Sequence, residues 1–233
     1  MIKIEGIKKS YGSKEVLKGV NLSIKKGSFT ALVGRNGSGK STLVDIICNA
    51  KNPTGGAVNY DFNKSKLFDH IGVQIQDAQF DGRLKVKEII DLWKSLYGGA
   101  KADLDEIINV LEMESFLNQR TDSLSGGQRQ KLSILIALFH DPEMLIFDEL
   151  TTGLDATMRD EVQEYLKMLN KDRKKTIFIV SHYMDEVEAL CDMVYFLKDG
   201  VIFDSGSPAQ IKEKYDCDTL QEFVKNHIGK VAG

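Results

Sequence analysis

The feature that most limits how this chain can fold is the segment GRNGSGKS, residues 34–41. It fits the pattern G-x-x-x-x-G-K-[ST] and lies between FTALV, which reads as a buried strand, and STLVDII, which reads as a helix. Glycines in such a loop let backbone N–H groups close on phosphate oxygens, and the start of the helix adds partial positive charge. The alternative is a plain glycine turn with a solvated lysine. The strand–loop–helix order favours a phosphate-binding loop in an α/β fold.

Two side chains of this loop suggest a nucleotide and a metal ion. Lys40 supplies a mobile positive charge for β- and γ-phosphates, and Ser41 offers a hydroxyl ligand to Mg²⁺. We therefore expect a nucleoside triphosphate and Mg²⁺ as cofactors. The predicted phosphate-binding set comprises Gly34, Arg35, Asn36, Gly37, Ser38, Gly39, Lys40, Ser41 and Thr42.

Composition narrows the function classes. The formal net charge is −3 over 233 residues, so the chain lacks the excess positive charge that is typical of proteins that wrap nucleic acid or bind anionic lipid. The three cysteines lie far apart and outside CxxC spacing, which argues against a disulfide framework or a zinc site. The chain opens with no signal peptide pattern, and its apolar runs are too short to cross a bilayer. We therefore expect a cytoplasmic protein.

The periodicity of apolar residues changes along the chain. Residues 20–24 and 58–62 alternate, which predicts a small antiparallel β component. Residues 86–97 and 104–111 follow helical spacing, with Gly98-Gly99 between them. The runs MLIF and TIFIV predict buried strands between helices, and VYFLK-DG-VIFD predicts a hairpin. Strands that alternate with helices indicate a mainly parallel sheet.

A second glycine segment, LSGGQRQ at 124–130, precedes a run of helix formers that is apolar nearly all round. Ser125 at a helix start, beside Gly126 and Gly127 with bare backbone N–H groups, predicts a second anion site.

Polar residues follow the predicted strands. Asp148 and Glu149 end the strand MLIF, and adjacent strand residues face opposite ways. We expect Asp148 to bind magnesium and Glu149 to act as the general base. The alternative is that both residues belong to a solvated turn, but the phosphate loop in the same chain favours the functional interpretation. His182 follows TIFIVS at the strand edge where α/β sheets bind ligands, and either catalysis or packing fits it. Asp155 reads as a helix cap and Gln76 as a polar loop residue.

Taken in order, these motifs resemble the nucleotide-binding subunit of ATP-binding cassette (ABC) transporters over nearly the whole chain. LSGGQ between a phosphate loop and the strand MLIFDE is very specific to that family. The resemblance implies that Tyr11 stacks on adenine, with Val16 also at the nucleotide. It implies that Gln76 contacts magnesium and the attacking water, that His182 is the switch histidine, and that Asp155 belongs to the D-loop. Leu150 stands where the family usually has proline.

The resemblance also implies a fold. It predicts a P-loop NTPase core with a small antiparallel β subdomain over residues 1–76 and 141–233. An inserted α-helical subdomain at about 77–140 would carry the signature. Two cassettes of the family pack head to tail, so that Ser125, Gly126, Gly127 and Gln128 of one chain cap the γ-phosphate on the other. The implied partner is a second ABC ATPase subunit, in a homodimer or a heterodimer.

The main functional hypothesis is a transporter subunit on the inner face of the cell membrane, working with a separate integral membrane permease. That permease would dock between Gln76 and about Tyr97, with Phe80, Arg83 and Leu84 as possible contacts. The alternative is a soluble ABC ATPase acting on DNA or the ribosome. The short spacing between Lys40 and Ser125 and the presence of one cassette argue against it, and we expect no nucleic acid partner.

Within transporters, SHYMDEVEALCD and VYFLKDGVIFDSGSP resemble the branch that exports drugs, antibiotic peptides or polymers. The sequence stops soon after TLQEFVKNHIG, whereas many sugar importers carry an appended regulatory domain, so we expect an exporter. An importer ATPase remains the alternative.

Overall fold

The computed structural model of the chain describes residues 2–74, 80–151 and 153–229. The strands are β1 (Ile2–Tyr11), β2 (Lys14–Ile24), β3 (Phe29–Gly34), β4 (Gly55–Tyr60), β5 (Ile71–Gln74), β6 (Met144–Asp148), β7 (Thr176–Val180), β8 (Met193–Lys198) and β9 (Val201–Gly206). The α-helices are α1 (Lys40–Ile47), α2 (Leu67–His70), α3 (Val86–Tyr97), α4 (Leu104–Val110), α5 (Gly126–Leu138), α6 (Ala156–Lys171), α7 (Met184–Leu190), α8 (Pro208–Tyr215) and α9 (Leu220–Phe223). This alternation confirms the predicted α/β class.

The chain divides into two compact units. The first comprises Met1–Leu67 and Thr176–Gly233, and the second comprises Phe68–Lys175. The strand β6 and the helix α6 therefore lie in the second unit together with the helices of the predicted insert. The narrower boundaries of that insert, about 77–140, stay a prediction.

The first unit contains two sheets. An antiparallel sheet has the order β2-β1-β4, as the alternating apolar residues predicted. Phe62 lies beyond the end of β4, and its ring packs near Tyr60 at a centroid distance of 5.4 Å. The other sheet places β3 between β7 and β8 as parallel neighbours, which explains why every residue of β3 is buried.

The edge strand β9 pairs antiparallel with β8 through the predicted Asp-Gly hairpin. Asp199 and Gly200 both have positive φ, at 50° and 84°, as the tightest hairpin turns require. The C-terminal segment then packs on this hairpin, with the Phe223 ring 4.6 Å from that of Phe196.

In the second unit, β5 and β6 form a parallel pair, with Gln74 opposite Phe147. The helix α5 is buried on all sides in its second half, where consecutive residues from Leu132 to Leu135 are covered. This agrees with the sequence of the segment, which is apolar nearly all round. The helix α3 buries Val86, Ile89 and Ile90 on one face and ends at Gly98, which has a φ of 69°.

Among the helices of the described ranges, none has both the length and the apolar character needed to span a membrane.

Candidate functional site

The first predicted site is the loop between β3 and α1 in the first unit. Gly37 and Gly39 have φ values of 78° and 108°, so this tight path requires glycine at both positions. Lys40 is largely buried, and its Nζ donates to the carbonyl oxygens of Gly34 at 2.7 Å and Arg35 at 3.1 Å. The ammonium group is thus folded onto the loop itself. A bound polyphosphate would offer it stronger, charged acceptors.

Close approach of the chain explains two of the loop glycines. A Cβ atom on Gly39 would lie 2.7 Å from Leu17 Cδ2 and 3.3 Å from the Val16 carbonyl oxygen. A Cβ atom on Gly34 would lie 2.7 Å from Ser38 Oγ and would also clash with the Leu197 carbonyl. The strand β2 therefore lies directly against the phosphate loop and brings Val16 beside Gly39.

The rest of the loop is open to ligands. Arg35, Asn36, Gly37 and Ser41 are exposed, and Thr42 is half-buried. Tyr11, at the β1–β2 turn, keeps 46% of its surface exposed. Lys9 and Lys51 place their Nζ atoms 5.2 and 5.9 Å from the centroid of the Tyr11 ring. These two cations would favour an anionic ligand near that ring.

His182 leaves the same sheet edge at which the phosphate loop begins. The strands β3 and β7 are parallel, with Leu32 opposite Val180, and the Ser181 N–H donates to the Leu32 carbonyl at 3.4 Å. His182 is half-buried, and its ring centroid lies 4.3 Å from that of Tyr183. The structure thus confirms its predicted place at a strand end.

In the second unit, β6 carries the two predicted carboxylates. Asp148 is the last residue of the strand and is 7% exposed. Glu149 lies beyond the strand end and has a φ of 56°. The prediction that Glu149 belongs to the strand is therefore wrong, and strand alternation does not apply to this pair. The left-handed backbone at Glu149 sets the direction of its side chain, because the chain leaves the extended conformation at that residue.

Gln130 holds this turn and was missed by the sequence analysis. Its Nε2 donates to the carbonyl oxygen of Leu150 at 2.7 Å and, more weakly, to that of Glu149 at 3.4 Å. Its Oε1 accepts from the Gln74 amide at 3.4 Å. Gln130 is the last residue of LSGGQRQ, but the sequence does not reveal its role, because side-chain bonds to a distant backbone leave no periodic pattern.

The segment LSGGQRQ caps the start of α5, as predicted. Ser125 Oγ accepts from the Gln128 N–H at 3.2 Å, and Gln128 Oε1 accepts from the Ser125 N–H at 2.9 Å. A Cβ atom on Gly126 would meet nothing within 4 Å, whereas one on Gly127 would lie 3.0 Å from the Gly153 carbonyl oxygen. The helix N-terminus is thus open on the Gly126 side.

A cavity of about 440 Å³ joins this segment to the start of α6. Its lining includes Ser125, Gly127 and Lys131 on one side and Leu154 and Asp155 on the other. Asp155 caps α6, since its Oδ1 accepts from the Met158 N–H at 2.9 Å. The helix-cap prediction is confirmed, and the second unit brings the LSGGQ segment beside Gly153, Leu154 and Asp155. Gln76 lies outside the described residues.

Comparisons with known proteins agree with these motifs. Residues 17–152 match the family model described as ABC transporter. The linearmycin resistance ATP-binding protein LnrL of Bacillus subtilis is 31% identical over 99% of this chain and 76% of its own length. The lantibiotic transport ATP-binding protein SrtF of Streptococcus pyogenes is 31% identical over 98% and 97%. A sulfate/thiosulfate import ATP-binding protein of Bacillus cereus is 30% identical over 97% of this chain and 66% of its own length.

Solved structures give the same result. The dimeric bacterial ABC transporter cassette MJ0796 superposes with a TM-score of 0.80 at 31% identity, over 89% of this chain and 98% of that one. The same cassette in a dimeric post-hydrolysis state bound to ADP and Pi superposes with a TM-score of 0.79 at 30% identity, over 89% and 98%. The chain belongs to the ABC transporter family, as an ATP-binding and ATP-hydrolysing cassette.

Proposed function

We propose that this chain powers the export of a drug, an antibiotic peptide or a polymer through a membrane partner. Two features support export: the segment from SHYM to SGSP and the relatives named for linearmycin resistance and lantibiotic transport. The alternative is import, which the sulfate/thiosulfate relative supports at similar identity. Transport by membrane vesicles that contain the chain and its permease distinguishes the two directions.

The observation that carries the proposed mechanism is the open N-terminus of α5. A helix of 13 residues begins with two glycines, one of which faces open space, and a cavity lies beside it. Such a terminus attracts anions through free N–H groups and the helix dipole. We propose that Ser125, Gly126, Gly127 and Gln128 hold the γ-phosphate of ATP bound to the phosphate loop of a second ABC subunit. Asp155 would line that same site.

The nucleotide itself is proposed to bind across residues 34–42. The backbone and Lys40 would hold the phosphates, the exposed ring of Tyr11 would stack on the adenine, and Val16 would lie beside the loop. On binding, Lys40 Nζ would exchange the Gly34 and Arg35 carbonyls for phosphate oxygens.

Magnesium fits the donors that this proposal offers. Ser41 supplies a hydroxyl and Asp148 a carboxylate, which are the oxygen ligands that Mg²⁺ prefers. In the described ranges, no three His, Cys, Asp or Glu residues form a group that could hold a metal ion. Mg²⁺ commonly takes one or two protein ligands and completes its shell with phosphates and water. When bound, it neutralises phosphate charge, and we propose that Gln76 contributes to it as well.

The proposed catalytic residues are Glu149, His182 and Gln76. Glu149 would accept a proton from the attacking water, His182 would contact the γ-phosphate, and Gln76 would orient the water. The left-handed turn at Glu149 supports the first assignment, because strained backbone persists where function requires a specific direction.

The change Glu149→Gln tests the general-base assignment. It should lower kcat by about 10²- to 10⁴-fold, because a glutamine cannot accept the proton. ATP binding should remain, so that a dimer accumulates and elutes earlier in size-exclusion chromatography with ATP. Glu143→Gln, an exposed carboxylate just before β6, is the matched control and should keep wild-type turnover. Normal hydrolysis by Glu149→Gln would refute the assignment.

The membrane partner is proposed to dock beside α3, which places the chain at the cytoplasmic face of the membrane. Arg83 is 87% exposed, and Asp81 holds its guanidinium through contacts of 2.8 and 3.0 Å. Leu92 and Leu96 lie one turn apart on α3 and are 47% and 68% exposed. This mixture of apolar and charged groups suits a protein interface. Detergent extraction with a tag on this chain should co-purify an integral membrane permease.

A further inference from the structure

A buried carboxylate lies just after the switch histidine, and the proposed function makes no use of it. Glu186 is 3% exposed and occupies the first turn of α7. Its Oε2 accepts a hydrogen bond of 2.5 Å from Ser181 Oγ, and Ser181 is also 3% exposed. Burying a charged carboxylate costs free energy unless polar groups compensate it, so the position calls for an explanation.

The hydroxyl of Ser181 serves two partners at once. It donates to Glu186, and it accepts from the Tyr183 N–H at 3.1 Å. The second bond joins residues two apart and closes a serine turn around His182. The histidine backbone is therefore fixed between β7 and α7 by a side-chain link.

The carboxylate sets the direction of this link. As an acceptor, Glu186 takes the single hydroxyl proton of Ser181, which leaves an oxygen lone pair for the Tyr183 N–H. Tyr183 is the N-cap of α7 and makes no side-chain cap of its own. The negative charge at the helix start is favourable with respect to the helix dipole. Glu186, in the first turn of the helix, is thus connected through the serine hydroxyl to the N–H of the N-cap residue Tyr183.

We propose that Ser181 and Glu186 are positioning residues that orient the His182 imidazole for ATP hydrolysis. This inference rests on the proposed function, which gives His182 its contact with the γ-phosphate. Neither Ser181 nor Glu186 touches substrate in this proposal. They act by holding the turn that presents the histidine at the sheet edge.

The test combines kinetics with a direct view of the histidine. The chain has four histidines, so the imidazole signals of histidine-labelled protein can be assigned by single substitutions. Ser181→Ala should shift the His182 signals and lower kcat on the order of tenfold, with the KM for ATP changed less than about twofold. Ser181→Thr keeps the hydroxyl, so its His182 signals and its kcat should both match those of the wild type. Glu186→Gln keeps the volume and an acceptor oxygen and should give an intermediate effect.

Glu188→Gln is the matched control on the same helix. Glu188 binds Lys212 at 3.0 Å and the Leu220 N–H, away from the His182 turn. It should leave the His182 signals and kcat at wild-type values. The inference is overturned if Ser181→Ala leaves the His182 signals in place, if all four histidines shift alike, or if kcat stays normal. His182→Ala separates the two levels. If His182→Ala hydrolyses ATP at the wild-type rate, the proposed role of His182 itself is refuted. If His182→Ala loses ATP hydrolysis but Ser181→Ala keeps the wild-type rate, only the positioning role of Ser181 and Glu186 is refuted.

Discussion

At the scale of single residues, the candidate site depends on side chains that bind distant backbone atoms. Gln130 is the clearest case, because its amide group donates hydrogen bonds to the carbonyl oxygens of both Glu149 and Leu150. Leu150, which stands where the family usually has proline, is 2% exposed, so its carbonyl has little access to water. The glutamine therefore supplies the hydrogen bond that water cannot readily give to this carbonyl.

Replacing Gln130 with alanine should therefore destabilise the protein. The Leu150 carbonyl would lose its donor in a buried place, which lowers the free energy of unfolding by about 1–3 kcal/mol. Denaturant unfolding measures this value. Gln163→Ala in α6 makes the same chemical change in the same unit and should cost less than about 0.5 kcal/mol. Equal losses in both variants would mean that the Leu150 bond contributes nothing specific.

At the scale of helices and strands, much was predictable from local pattern. The strand β3, the helix α1 and the Asp-Gly hairpin were predictable because glycine positions and apolar runs act over a few residues. Ser125 and Asp155 were recognisable as helix caps for the same reason. The left-handed Glu149 and the Ser181–Glu186 bond were not, because they depend on which side chains the fold brings to a turn.

The junction of α3 and α5 gives a prediction on pH. His140 follows α5, is 6% exposed, and stacks on Tyr97 of α3 at 5.1 Å. Burial, followed by the nearby positive charge of Lys101, lowers the pKa of His140 below its ordinary value of 6.5, although Asp69 opposes this. The unfolded chain then binds a proton more readily than the folded chain. Stability should fall as the pH drops below about 6.5 and level off under the lowered pKa.

The change His140→Phe isolates this effect, since phenylalanine keeps a ring beside Tyr97 and cannot titrate. The difference in unfolding free energy between His140→Phe and the wild type should be constant above pH 7.5 or so and should move in favour of the variant at lower pH. Chemical unfolding at a series of pH values measures it. A difference that does not change with pH would show that His140 does not titrate between the two states.

At the scale of the whole molecule, we propose that assembly explains why one chain carries two predicted anion sites. The phosphate loop belongs to the first compact unit and the LSGGQ segment to the second. The similar cassette MJ0796 is dimeric in both of its solved structures. We propose that a symmetric pair makes each ATP site from the loop of one chain and the α5 terminus of the other. An isologous pair then contains two equivalent sites.

Mixing two inactive variants tests this assembly. Lys40→Ala removes the phosphate contact of its own loop, and Ser125→Arg blocks the α5 terminus with a bulky cation, so each should be inactive alone. In an equimolar mixture, about half of the dimers contain both chains, and each such dimer regains one intact site by symmetry. Phosphate release should therefore recover to about a quarter of the wild-type rate if the sites act independently. The double variant Lys40→Ala/Ser125→Arg mixed with wild type is the control. Its mixed dimers contain no intact site, so the rate should fall to about a quarter of the wild-type rate at equal total protein, below the roughly one half that dilution alone would leave. If the two single variants form mixed dimers that release no phosphate, and the control mixture keeps about half of the wild-type rate, each chain completes its site with its own α5 terminus and the shared-site assembly is wrong.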